Sequence, residues 1–138
     1  MVAKSHTLGP GSLSIGEVGP RQFGAQLTKC LLSPDIKTDD DVYTLDGSVV
    51  DGEDTITWTL AGTLLQDYDL DSLEDYCLEH ASEKLAFVFV PSDAHHRTYS
   101  GVVKIRPVAV GGDIKKKNTS DFTFPCVGQP TPGDTDDL

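Results

Sequence analysis

Features that usually point to a mechanism are scarce in this chain of 138 residues. Cysteine occurs three times, at Cys30, Cys77 and Cys126, with no C-x-x-C pair. That argues against a disulfide framework and fits a reducing compartment, with the three thiols read as small buried hydrophobes. Lysine and arginine total 11 against 22 aspartates and glutamates, a net charge of −11. A chain so short of cations has no surplus with which to displace the counterions of nucleic acid. Repulsion of nucleic acid, or plain solubility, remains open to it. No apolar run approaches membrane-spanning length, and the opening MVAKSHTLGPGS lacks the apolar centre of a secretion signal.

Catalytic and metal patterns are missing as well. Upstream of Asp46-Gly47 the places an EF-hand loop fills with acids hold Val42 and Thr44, and upstream of Asp51-Gly52 they hold Gly47 and Val49. Asp39, Asp40 and Asp41 are consecutive, so on an extended chain their carboxylates diverge. The same holds for His95 and His96. There is no G-x-S-x-G elbow and no phosphate loop. The expectation is a protein that is not an enzyme and carries no cofactor or metal.

What is present is β signal. Gly and Pro number 13 and 8, and apolar residues make up 38%, a composition that suits a turn-rich β protein. Residues 1–9 read as a loose arm and 10–128 as one domain. Residues 129–138, polar and Pro-rich, read as a flexible tail. Leu13 and Ile15 share a face of a short strand, and 22–34 reads as a second strand stopped by Pro34. Residues 35–54 hold eight carboxylates and one lysine. Within them VYTLDGSVV has the form of a hairpin turning at Asp46-Gly47.

TITWTLAGTLLQD, 55–67, alternates strictly: Ile56, Trp58, Leu60 and Leu64 on one face, threonines on the other. The period then changes. Leu73, Tyr76, Cys77 and His80 fall at helical spacing over 69–84, with Asp71 and Glu74 resembling a capping box. LAFVFV, 85–90, is apolar on both faces. Residues 98–112 read as a long strand bent at Pro107, and 121–128 as a last strand with Phe122, Phe124 and Cys126 inward. The predicted fold is mainly β: an antiparallel sandwich or barrel with one flanking helix. Its predicted core is Trp58, Phe87, Phe89, Phe122 and Phe124.

Three pieces in this order, T-W-T-L-A-G-T-L (57–64), I-R-P-V-A-V-G-G-D (105–113) and S-D-F-T-F-P (120–125), resemble the major tail tube proteins of long-tailed phages, in particular those of actinobacteriophages. The resemblance covers about residues 10 to 130. It implies two packed β-sheets with a helix on the flank, six copies closing into a ring, and rings stacking into a tube for genomic DNA. DNA would pass through the lumen without specific binding, and the chain would not insert into a membrane. Partners would be further copies of the chain and other tail proteins such as tape measure and terminator. The protein would be placed in the virion tail after assembly in the host cytoplasm. The 35–54 arm matches in position the loop that bridges subunits and rings. That assigns Asp39, Asp40, Asp41, Asp46 and Gly47 to inter-subunit contacts, with Lys115, Lys116 and Lys117, or Arg97 or Arg21, as their basic counterparts. Two other readings stand beside it. One is a tail terminator or injection-system tube protein of the same fold. The other is a small β-sandwich binding carbohydrate or another ligand, with Trp58 and Tyr99 as platform.

Overall fold

The structure is a computed structural model that describes residues 3–16 and 21–134. The start of the expected 1–9 arm, the 17–20 segment and the last four residues of the expected tail lie outside the described residues. Ten strands and one helix follow one another in it: β1 (Ser12–Ile15), β2 (Arg21–Gln22), β3 (Leu27–Thr38), β4 (Val42–Tyr43), β5 (Val49–Val50), β6 (Asp54–Leu65), α1 (Leu73–Glu79), β7 (Lys84–Val90), β8 (Arg97–Lys104), β9 (Thr119–Pro125) and β10 (Thr131–Asp134). One sheet runs β10-β8-β7-β1-β2, a second runs β3-β6-β9, and β4 and β5 pair as a small ribbon; every pairing is antiparallel.

Alternation places the core. Leu13 and Ile15 from β1, Phe87 and Phe89 from β7, and Val103 from β8 meet Leu60 and Leu64 from β6 and Phe122 and Phe124 from β9. Leu73 and Cys77 of α1 join the same cluster, so the helix packs on that core through one face. Ser72 caps it by accepting from the Asp75 N–H. The capping residue is therefore one position later than the expected Asp71, which takes a positive φ of 63°. A seven-residue helix is too short to stand alone, and its stripe of Leu73, Tyr76 and Cys77 anchors it. Tyr76 stacks edge-on against Phe23.

Three strand boundaries differ from the sequence reading. Pro34 does not stop β3, which runs on to Thr38, because β3 is an edge strand whose missing proline donor faces away from the ladder. β8 ends at Lys104, before Pro107, and residues 105–112 follow without strand structure. The expected tail from 129 instead supplies β10, whose Thr131, Pro132, Gly133 and Asp134 lie opposite Ser100, Tyr99, Thr98 and Arg97 of β8. The chain from β9 to β10 thus crosses from one sheet to the other, with Val103 bridged to Cys126 and the Val127 N–H donating to Val102 O at 2.7 Å.

Trp58 is the correction within the predicted core. Phe87, Phe89, Phe122 and Phe124 are buried, but Trp58 is only half-buried and stands outside the core cluster. Its face is the expected one, shared with Leu60, but it stands one step along β6 past the last buried residue of that face. Trp58→Ala is accordingly expected to cost about 1–2 kcal/mol, against about 3–5 kcal/mol for the fully enclosed Phe124→Ala. Parallel urea titrations of the two variants measure the difference.

Candidate functional site

β3 and β6 are both 12-residue strands, and they pair from Leu27↔Leu64 to Thr38↔Asp54. The first part of that ladder is core. Beyond Pro34↔Trp58 the two strands continue as a ribbon with no third strand beside them among the described residues, since β9 pairs with β6 only as far as Thr59 and the Cys126 N–H donates to Trp58 O. The Asp39 N–H donates to Glu53 O at 2.9 Å, and Val42↔Val50 and Tyr43↔Val49 extend the ribbon to a turn at 44–48. Every residue from 34 to 51 is exposed.

The ribbon is acidic, and it is also apolar. The core-facing stripe of the domain passes from Leu32 and Leu60 to Pro34 and Trp58, then to Ile36 and Ile56, which oppose one another and are 58% and 55% exposed. Tyr43, Val42, Val49 and Val50 follow, and Leu45 at the turn is fully exposed. An apolar stripe that continues in register from a core into solvent is unfinished packing, and a two-stranded ribbon is marginal in water by itself. Acidity dominated the sequence reading of this segment. The signal for the stripe lay in the V-Y and V-V pairs and in the unbroken alternation back from Trp58.

The acidic residues have separate local duties. Asp46 closes the turn: its carboxylate accepts from the Thr44 hydroxyl at 2.5 Å and from the Ser48 N–H at 3.0 Å. The Gly47 N–H donates to Thr44 O. The Thr44 hydroxyl, followed by the Ser48 donors, holds the Asp46 carboxyl at about 2, down from its ordinary 3.8. A carboxyl depressed in the folded state supports the turn fully above its unfolded value and loses that support as pH falls through its folded one. The Ser48 amide resonance is therefore expected to be steady above about pH 4 and to shift as the turn loosens towards pH 2. Asp41 accepts from the Gly52 N–H at 2.8 Å. Asp39 and Asp40 have no ion pair among the described residues, and no three His, Cys, Asp or Glu side chains there gather as a metal site.

Lys115, Lys116 and Lys117 lie in the loop before β9, beside the far end of β6. Twelve strand residues span roughly 36 Å, so the structure does not bring this basic loop to the acidic arm of its own chain. Lys116 faces Asp113 at 3.7 Å, and Lys115 and Lys117 make no ion pair among the described residues. Arg21 is engaged within the chain, with Nη1 donating to Asp71 Oδ2 at 3.2 Å. Gln66 ties the loop region to the sheet: it donates to Gly111 O and accepts from the Gly111 N–H, both at 3.0 Å, and its side chain also donates to Ser120 Oγ at 2.9 Å.

The fold is shared with chains of gene transfer agent particles. One, from the virion of a native gene transfer agent (GTA) particle, superposes with a TM-score of 0.61 at 16% identity over 88% of this chain and 95% of that one. Another, from the tail of an empty GTA particle solved by helical refinement in C6 symmetry, gives 0.63 at 14% identity over 88% and 93%. No protein-family model and no curated protein matches the chain. The two-sheet architecture with one helix is thus that of chains found in gene transfer agent particles.

The three cysteines are free thiols. Burial pushes Cys30 and Cys77 up to about 12, with the charge of Glu74 adding to the effect at Cys77, and burial also raises Cys126. Among the described residues no helix is long and apolar enough to cross a membrane.

Proposed function

We propose that this chain is a structural, non-enzymatic protein of a phage-type tail, polymerising as stacked hexameric rings into a tube through which DNA passes without specific binding. The observation that carries this reading is the core stripe running through Trp58 onto Ile36 and Ile56 of a protruding ribbon. Such a ribbon gains from burial against another molecule, and a repeating assembly supplies that molecule as a further copy. The open edges of β3, β9, β10 and β2 are a hazard in a free monomer and a means of joining in a ring. Likeness to a chain of a C6-symmetric tail supports six-fold closure. The net charge of −11 suits a conduit that must not hold phosphate. On this reading the protein resides in a virion tail, in the manner of long-tailed actinobacteriophages, beside tape measure and terminator proteins.

Electron microscopy of the concentrated protein, with mass measurement on the same sample, tests the proposal. Six-fold rings or tubes are the expected result. Assembly should weaken with added salt, because exposed charge pairs are screened at ordinary ionic strength. Dispersed monomers at every concentration, with melting that responds to a carbohydrate, would instead establish the ligand-binding module.

A further inference from the structure

The ribbon contains two Asp-Gly steps, Asp46-Gly47 at its turn and Asp51-Gly52 between β5 and β6. At such a step the glycine nitrogen can reach the aspartyl Cγ and close a five-membered imide, because glycine leaves the backbone free to turn and puts no side chain in the way. The structure treats the two steps differently. At the turn, the Asp46 carboxylate accepts from the Thr44 hydroxyl at 2.5 Å and from the Ser48 N–H at 3.0 Å. Those bonds favour its ionised form, holding it at about 2, and an ionised carboxylate has no hydroxyl to lose as water. The Gly47 N–H donates to Thr44 O, a carbonyl that cannot take its proton. Asp51, by contrast, is exposed, and its side chain makes no hydrogen bond or ion pair among the described residues. Residues 51–53 lie outside any strand. The Gly52 N–H donates to a group that can act as a base, the Asp41 carboxylate, with Oδ1 at 2.8 Å.

We propose that Asp51-Gly52 is a self-modifying step, at which Asp51 isomerises to isoaspartate through a cyclic imide with Asp41 as the base. The Gly52 nitrogen bonds to Cγ of the acid form of Asp51 while its proton passes to Asp41 Oδ1. Asp41 then returns that proton to the departing hydroxyl, which leaves as water, so Asp41 ends as it began. Water next adds to one of the two imide carbonyls. Opening the bond from nitrogen to Cγ restores aspartate. Opening the bond from nitrogen to the original main-chain carbonyl leaves the peptide running through Cβ and Cγ, one carbon longer, with a new free carboxylate. No oxidant or further reactant is needed. The extra carbon enters where the ribbon is narrowest: the Asp39 N–H donates to Glu53 O at 2.9 Å, and a β-carbon on Gly52 would meet the Asp39 carbonyl oxygen. Isomerisation there alters how the ribbon tip is held and leaves the core cluster untouched. The reaction takes place within one chain and needs no second copy.

Ageing the purified protein in mildly acidic buffer, with and without urea, tests this. Isoaspartate is located by peptide mapping with electron-transfer fragmentation and counted by enzymatic methylation. In the folded chain it should accumulate at residue 51 at least roughly tenfold faster than at residue 46, a modest share of what a positioned base supplies. In urea the two steps should react alike. Asp41→Asn keeps an oxygen to accept the Gly52 N–H but cannot take its proton, so the rate at residue 51 should fall by roughly tenfold or more. Amide exchange of Tyr43 and Val49 in that variant should match the parent, which separates loss of the base from loss of the ribbon. Asp51→Glu, whose ring would be six-membered, should give no isomerised product at this step. Equal accumulation at 46 and 51 in the folded chain, or none at 51 while the urea sample reacts, overturns the proposal. So does an Asp41→Asn chain that isomerises at the parent's rate with its ribbon intact.

Discussion

Gly62→Val should leave little folded protein. Gly62 sits in the second half of β6, opposite Cys30 of β3 and Phe122 of β9. A β-carbon there would lie 2.2 Å from the Lys29 carbonyl oxygen and 2.9 Å from the Phe122 ring. The ring could turn aside, but the carbonyl could not. It sits where the β3–β6 register shifts between Leu27 and Lys29, and a bulge fixes backbone position. Moving it breaks the ladder that joins β3 to the domain. The expected cost is at least about 4 kcal/mol, at the far end of single-substitution effects. Circular dichroism against temperature measures it. A variant melting within a few degrees of the parent would show that the ladder can shift.

Gly52→Val should do the opposite, sparing the domain and disabling the arm. A β-carbon on Gly52 would fall 1.7 Å from the Asp39 carbonyl oxygen, where the ribbon narrows between its two sets of paired strands. Contact with backbone at that distance forces the two chains apart. The Asp41 carboxylate would lose its Gly52 N–H donor at the same time. Nothing in the core cluster touches this point, so melting should change by less than about 0.5 kcal/mol. β4 and β5 would be redirected, carrying Leu45 and the valine pairs with them. Assembly should fall by roughly a hundredfold or more, since every contact the tip makes is misplaced together. Amide exchange of Tyr43 and Val49 should rise towards that of an unstructured loop. Normal tubes from this variant would mean that the arm beyond Asp39 is dispensable.

Much of the fold was legible from alternation. The strand faces of Leu13 and Ile15, of Leu60 and Leu64, and of Phe122 and Phe124 follow from period two, and all are buried as a set. The hairpin at Asp46-Gly47 follows from turn chemistry. The errors share a cause. Pro34 and the Thr-Pro-Gly-Asp of β10 read as non-strand because local preference speaks against them, yet both lie on edge strands, where one backbone side needs no partner. Trp58 reads as core because the pattern gives the face of a residue but not where along the strand the covering layer ends. The arm was legible as acidic and as a hairpin. Its apolar stripe was obscured, because charges interleaved with it dominate any average over the segment. The nearness of Tyr68 to Lys117 was illegible: they are far apart in sequence and come together only because Gln66 ties residues 111 to 120 back onto the end of β6.

The order of events in folding follows from the strand partners. β3, β4, β5 and β6 are consecutive, so their hairpin closes through short loops at little entropic cost. β1 must wait for β7, since Ile15 lies opposite Phe87, and β8 gains its second neighbour only when β10 arrives. Non-local pairings of this kind place closure in the range of about milliseconds to seconds.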